Sequence, residues 1–196
     1  QTVSVLFSRS GKQTVVITPI DVCRKLSVGM TISCCHSSRG SSPIRFVDYC
    51  DIRNAYMGTN NNLLGIHRLC EICYYFLPEN VTDLEVMKFF SWYFEFLQQG
   101  LMEEDFSSVQ CLCEFKLFCL LSFYPSEDLV GFVQVFHRLV SLFVDSKNNG
   151  RVISKEVVEI LLQDVADRTN EIGLWLEECA ATHQCYSKFK TIGVGL

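Results

Sequence analysis

This chain has no excess of positive charge: 17 Lys and Arg stand against 22 Asp and Glu, for a formal net charge of −5 and a pI near 5.4. A phosphate backbone is held chiefly by cationic side chains, so nucleic acid is excluded as a first partner. Long apolar runs are missing too. The longest uncharged one, Leu117 to Tyr124, falls far short of the roughly 20 residues a spanning helix needs, so no membrane span is expected. GxSxG, HExxH, the P-loop and GxGxxG are all lacking, and with them any site from which an enzyme activity could be argued. No stretch near Gln1 reads as a secretory leader, and the 11 cysteines are odd in number. Reduced thiols in a cytoplasmic setting are therefore expected. A chain that opens on Gln1 and closes on Val194-Gly195-Leu196 is expected to be a piece of a longer polypeptide.

What is present is apolar and aromatic. A hydrophobic share of 48%, with 15 Phe, 7 Tyr and 2 Trp, excludes disorder over most of the length and supplies a sizeable core. From Asn62 onward the apolar spacing is helical. Leu63, Ile66, His67, Cys70, Cys73 and Tyr74 make one stripe, and helices are expected over about 109–123, 127–144, 155–167 and 170–179. The first residues differ: Val3-Ser4-Val5-Leu6-Phe7 and Thr14-Val15-Val16-Ile17 suggest a hairpin, whereas Thr18-Pro19-Ile20-Asp21 reads as a capped start to a helix of about ten residues. Thr82 and Ser154 occupy similar cap positions ahead of later helices.

The segment Phe89-Phe90-Ser91-Trp92-Tyr93-Phe94-Glu95-Phe96 carries six aromatics in eight residues, too many for one stripe of a helix. It is expected to be a helix packed on all sides or, with Phe89, Trp92, Tyr93 and Phe96 as contact residues, a patch for a partner's amphipathic helix or for another domain of the same chain. The pairs Cys70/Cys73 and Cys111/Cys113 have thiolate spacing, but they lie in apolar helical segments without the glycine turns of a zinc knuckle, and read as core filling. Cys34-Cys35-His36, and Cys179 with His183 and Cys185, take the same reading. His67 and His137 read as interior or boundary histidines.

Residues Asp145-Ser-Lys-Asn-Asn-Gly-Arg-Val-Ile-Ser-Lys-Glu156 have the order of ligands that a hard cation needs. Counted as a twelve-residue loop, they put Asp145 at position 1, Asn149 at 5, Gly150 at 6, the Arg151 carbonyl at 7 and Glu156 at 12. Leu129, Phe132, Val133, Phe136, Val140 and Phe143 stripe the entry helix, and Val157, Ile160 and Leu161 the exit helix. This helix-loop-helix resembles the EF-hand family. The departures are Lys147 at position 3 and Ile153 at position 9, which leave two charged ligands, so the resemblance implies calcium binding that is weak or absent.

Extended along the chain, the resemblance implies an all-α fold of paired helix-loop-helix units with very short β ladders between loops. It divides into a degenerate pair over 1–58 lacking its first entry helix, a middle helical pair over 59–124 with loops near Leu77–Glu85 and Glu103–Phe115, and a pair over 125–196 holding the best loop. Tyr186 and Phe189 would be apolar residues of the last hand, and Ile44, Phe46 and Tyr49 of an early one. The function implied is a non-catalytic protein-interaction or regulatory module of a larger intracellular protein, with calcium at most a modulator. The alternative is a helical adaptor or scaffold unrelated to EF-hands and without a metal.

Overall fold

Alternating Val, Ile and Thr favour extended chain, because branched side chains fit a pleated, half-buried surface. In the computed structural model, which describes residues 2–7, 13–18, 20–24, 26, 30–38, 45–54, 60–78, 83–98, 106–150 and 153–188, they form β1 (Thr2–Phe7) and β2 (Gln13–Thr18). The two pair antiparallel, with Val3 opposite Ile17 and Val5 opposite Val15. The helix expected from Thr18 is only the four-residue α1 (Ile20–Cys23), and Thr18 ends β2 as a buried residue. β3 (Thr31–Ser38) and β4 (Arg45–Asn54) follow and complete a sheet of order β1-β2-β4-β3. β2 and β4 run parallel over a short register, and β3 and β4 antiparallel over a long one.

The chain is mostly helical, but the expectation of an all-α fold with only very short ladders gives way over residues 2–54. The physical reason is visible as a period of two along β3, where Ile32 and Cys34 are half-buried and Ser33 and Cys35 are exposed. Tyr49, expected as an apolar hand residue, is a largely exposed β4 side chain; Phe46 is half-buried and Ile44 lies outside the described residues.

Contacts part the chain into two compact units, residues 1–94 and 95–196, where the sequence reads as three segments. The first unit holds the sheet, α2 (Asn60–Phe76) and most of α3 (Leu84–Gln98). α2 buries Ile66, Leu69, Ile72 and Cys73, and exposes His67 and Tyr74. Its inner face is thus rotated from the stripe read in the sequence, because Leu69 and Ile72 carry more apolar surface inward than His67 and Tyr74 would. Asp83 caps α3, and Thr82, read as its cap in the sequence, lies outside the described residues. The Asp83 carboxylate accepts the backbone N–H of Glu85 at 3.1 Å and of Val86 at 3.0 Å, two of the donors that every helix start leaves open.

The second unit is built round α4 (Phe106–Leu120), which is buried without a break from Ser108 to Phe115. A helix apolar on all sides must be surrounded, and α5 (Gly131–Asn149), α6 (Lys155–Asp167) and α7 (Thr169–Ala181) each pack on it. Phe115 meets Phe132 of α5 edge-on at 6.1 Å and Trp175 of α7 at 4.9 Å, while Phe118 meets Trp175 at 6.2 Å. Phe115 and Phe118 are fully buried, each stabilising the unit by roughly 1.5–3 kcal/mol relative to exposure. Ser108, Gln110 and Glu114 share the interior, and Gln110 donates to the Glu114 carboxylate at 2.7 Å one turn along the helix.

α5 buries Phe132, Phe136, Leu139 and Phe143, close to the stripe read in the sequence. α6 buries Val158, Leu162 and Val165, and leaves Val157 and Ile160 exposed, so its inward face lies one residue on from the expected one. Both registers satisfy helical spacing, and the second sets three branched side chains against α4 and its neighbours. Arg168, between α6 and α7, lies 5.2 Å from the centre of the Phe132 ring, donates twice to Glu171 and once to the Asp128 carbonyl. It thereby fastens the connection before α5 to the start of α7.

Candidate functional site

The apolar run from Leu117 to Tyr124 outlasts its helix, and its end forms a fixed corner. Ser122 adopts a left-handed φ of 70°. Its N–H donates to the Cys119 carbonyl at 3.2 Å, and the Phe123 N–H to the Phe118 carbonyl at 3.0 Å. These are the two bonds of a Schellman motif, and the apolar contact that accompanies one is also present, with the rings of Phe118 and Phe123 5.3 Å apart and edge to face. The carbonyls left open by the last turn of α4 are satisfied, and Phe123 is held half-buried.

Tyr124 is the next residue and points away, 89% exposed. Pro125 follows, and the chain turns through Ser126, whose carbonyl accepts the N–H groups of Leu129 and Val130 at 3.0 and 3.1 Å. Leu129 is buried, whereas Val130 is 54% exposed. A large amphipathic ring held in water on a corner anchored at both sides loses little conformational entropy when it is covered, which is the property of interface anchors. Further apolar side chains stand out from this unit at Ile160 of α6 and Leu174 of α7. Sequence reasoning misses Tyr124 because the run reads as part of the helix; the signal that could have found it is Pro125, which biases the preceding residue away from helical backbone.

The residues read as calcium ligands are placed differently. Asp145 and Asn149 lie inside α5, which runs to Asn149, and the Asn149 amide donates to the Asp145 carbonyl at 2.9 Å. Gly150, φ 62°, is the cap of that helix, and its N–H donates to the Ser146 carbonyl. The connection is therefore residues 150–154, where a calcium loop leaves its helix at position 1. Lys147 pairs with Glu95 at 2.7 Å, Ile153 is buried, Glu156 is exposed in the first turn of α6, and Arg151 lies outside the described residues. Ser154 occupies the cap position expected of it, though through its carbonyl, which accepts from Val157 and Val158. No group of three or more His, Cys, Asp or Glu that could hold a metal is found among the described residues. Nor is there a strand after Asn54 among them.

Of the four aromatics read as a partner patch, Phe89, Tyr93 and Phe96 are buried and Trp92 is half-buried. Phe89 and Tyr93 stack one turn apart at 6.2 Å, and Phe96 meets Phe143 at 5.8 Å. This helix spends its aromatic face on the interior, so those three side chains are not on offer to a partner.

The ten cysteines described are free thiols. Burial pushes Cys70 and Cys179 up to about 12 and Cys119 to about 11, so they are neutral and unreactive at pH 7. Both histidines expected at interior or boundary positions, His67 and His137, are exposed. His137 lies 3.4 Å from the Lys116 ammonium, and loss of solvent together with that charge lowers its pKa. Tyr186, in a short 3-10 turn, donates to Glu177 at 3.0 Å, and Phe189 lies outside the described residues. No described helix is long and apolar enough to cross a membrane.

No protein-family model matches this sequence, and comparison with curated proteins and with solved structures finds no match to it.

Proposed function

We propose that this chain is a non-catalytic protein-interaction module, a helical adaptor whose contact surface centres on Tyr124 at the α4–α5 corner. The observation that carries this reading is the pairing of rigidity with exposure: Phe123 is anchored on Phe118, and the next ring stands in solvent. The partner is a protein that presents an apolar pocket or the apolar face of an amphipathic helix. Binding should bury Tyr124 first and Val130 with it.

The test replaces Tyr124 by a photoreactive phenylalanine and captures the protein that crosslinks there, with the same substitution at exposed Gln134 as the control. The captured protein, purified, is then titrated calorimetrically. Tyr124→Ala should weaken its binding at least tenfold, as truncating an interface anchor does, and leave the melting temperature unchanged. Equal crosslinking from both positions, or equal affinity of the variant, would refute the assignment.

Between the two readings of the helical region, the one without a metal is favoured. An ion held by Asp145, Asn149, Arg151 and Glu156 requires the last turn of α5 to unwind and Gly150 to give up its cap. The EF-hand resemblance is accounted for by helix, glycine cap and acidic first turn, a sequence that serves a plain helix-turn-helix equally well. Millimolar calcium should therefore shift neither the Gly150 nor the Ile153 amide resonance. A saturable shift of both, removed by Glu156→Gln, would restore the calcium reading.

A further inference from the structure

We propose that Cys34 and Cys50 form a cross-strand thiol pair that a small-molecule disulfide oxidises to a bond joining β3 to β4. The two residues are direct register partners in the antiparallel pair. Opposite residues in such a pair have Cα atoms about 4.5 or 5.5 Å apart, and both spacings lie within the roughly 4.4–6.8 Å that a disulfide spans. Their side chains share one face of the sheet, flanked by the partners Ile32 and Ile52. Both are half-buried, so a tripeptide oxidant can reach them.

The neighbouring positions make the pair specific. Cys35 is more exposed but belongs to the other face, and its partner across the ladder is Tyr49, which offers no thiol. The register slips immediately after Cys35, a bulge that raises local twist and lets the strands adjust by the few tenths of an ångström closure requires. The thiols of the helical interior differ, since burial silences them. Cys34 is also pushed up, by burial and then by the charge of a Cys50 thiolate, which fits two sulfurs lying close together and makes the reaction accelerate as pH rises.

The chemistry balances with the oxidised form of glutathione. One protein thiolate attacks a sulfur of the oxidant, breaking its S–S bond and releasing one glutathione thiolate, which takes a proton from water. The second protein thiol, deprotonated by solvent, attacks the sulfur of the mixed disulfide and expels the other glutathione. The protein pair loses two electrons and two protons, and one glutathione disulfide becomes two glutathione thiols.

The full chain is incubated with glutathione disulfide, quenched with acid, alkylated and cut with trypsin without reduction. Cleavage after Lys25, Arg39, Arg45 and Arg53 puts Cys34 and Cys35 in one peptide and Cys50 in another. The expected result is a linked pair of peptides 26–39 and 46–53, formed at least tenfold faster than any other protein disulfide and about tenfold faster per pH unit between 7 and 8. The link should vanish in Cys34→Ser and Cys50→Ser and persist in Cys35→Ser. Fragmentation of the wild-type linked peptide between Cys34 and Cys35 locates the bond without any substitution, so a variant that folds poorly does not decide the matter. A bond located at Cys35, or Cys50 recovered only as alkylated or glutathionylated peptide, would overturn the proposal.

Discussion

The corner that presents Tyr124 rests on a serine in left-handed backbone, and this gives a test of sign. Ser122 has φ 70°, a conformation that costs a residue with a Cβ about 1–2 kcal/mol and costs glycine nothing. Glycine gives back about 0.5–1 kcal/mol through the greater freedom of the unfolded chain. Ser122→Gly should therefore stabilise the helical unit by up to about 1.5 kcal/mol, the difference of the two. The same chemical change at Ser141, exposed in the middle of α5, should act the other way. There glycine is a worse helix former by a few tenths of a kcal/mol, and the Ser141 hydroxyl also loses its bond to the His137 carbonyl. The assay is urea unfolding followed by tryptophan fluorescence in a Trp92→Phe background, which leaves Trp175, packed on Phe115 and Phe118, as the single reporter. Midpoints should move in opposite directions with slopes unchanged. If both glycines destabilise, Ser122 is not in left-handed backbone and the corner is built differently.

Removal of the Asp83 cap by Asp83→Ala leaves the N–H groups of Glu85 and Val86 without their acceptor; it should cost about 1 kcal/mol, read as a lower melting temperature, whereas Asp83→Asn should recover most of it. His137 should titrate below its ordinary 6.5 in a proton NMR series, and Lys116→Met should bring it back up by removing the neighbouring charge. Because the folded value is the depressed one, the unfolded chain binds more protons in that interval. The contribution to stability is complete above about pH 6.5 and is lost as pH falls through the folded value; the effect should be smaller in the Lys116→Met protein.

Helical existence was legible from spacing alone over most of the second half: α6 begins and ends where the pattern places it, and α7 is off by one or two residues at each end. Faces were harder. Along α2 and α6 two registers of apolar residues compete, and only the burial of Leu69 and Ile72, or of Val158 and Leu162, decides between them. The hairpin of β1 and β2 was visible in the branched residues, but a strong capping signal at Thr18 and Pro19 argued against its length and yielded only the single turn of α1. β3 and β4 escaped because their signal is diluted by Ser, Cys and Asp, and becomes clear once the strands are paired in register.

The calcium-like loop illustrates why local pattern underdetermines a site. A helix ending in polar residues, a glycine in left-handed backbone and an acid in the next first turn is what the ends of two consecutive helices need for their own open carbonyls and amides. A cation loop needs the same glycine and the same terminal acid, so the two readings share most of their letters and differ in where the first helix stops. That point is fixed by the α5 interior: Phe143 is buried against Phe96, and Lys147, one turn further on, reaches Glu95. Two contacts on successive turns hold the helix regular past Asp145, and they come from residues some fifty positions upstream that no local motif contains. The corner at Ser122 obeys the same logic in reverse, since there the packing of Phe123 on Phe118 stops the helix early and leaves Tyr124 outside it.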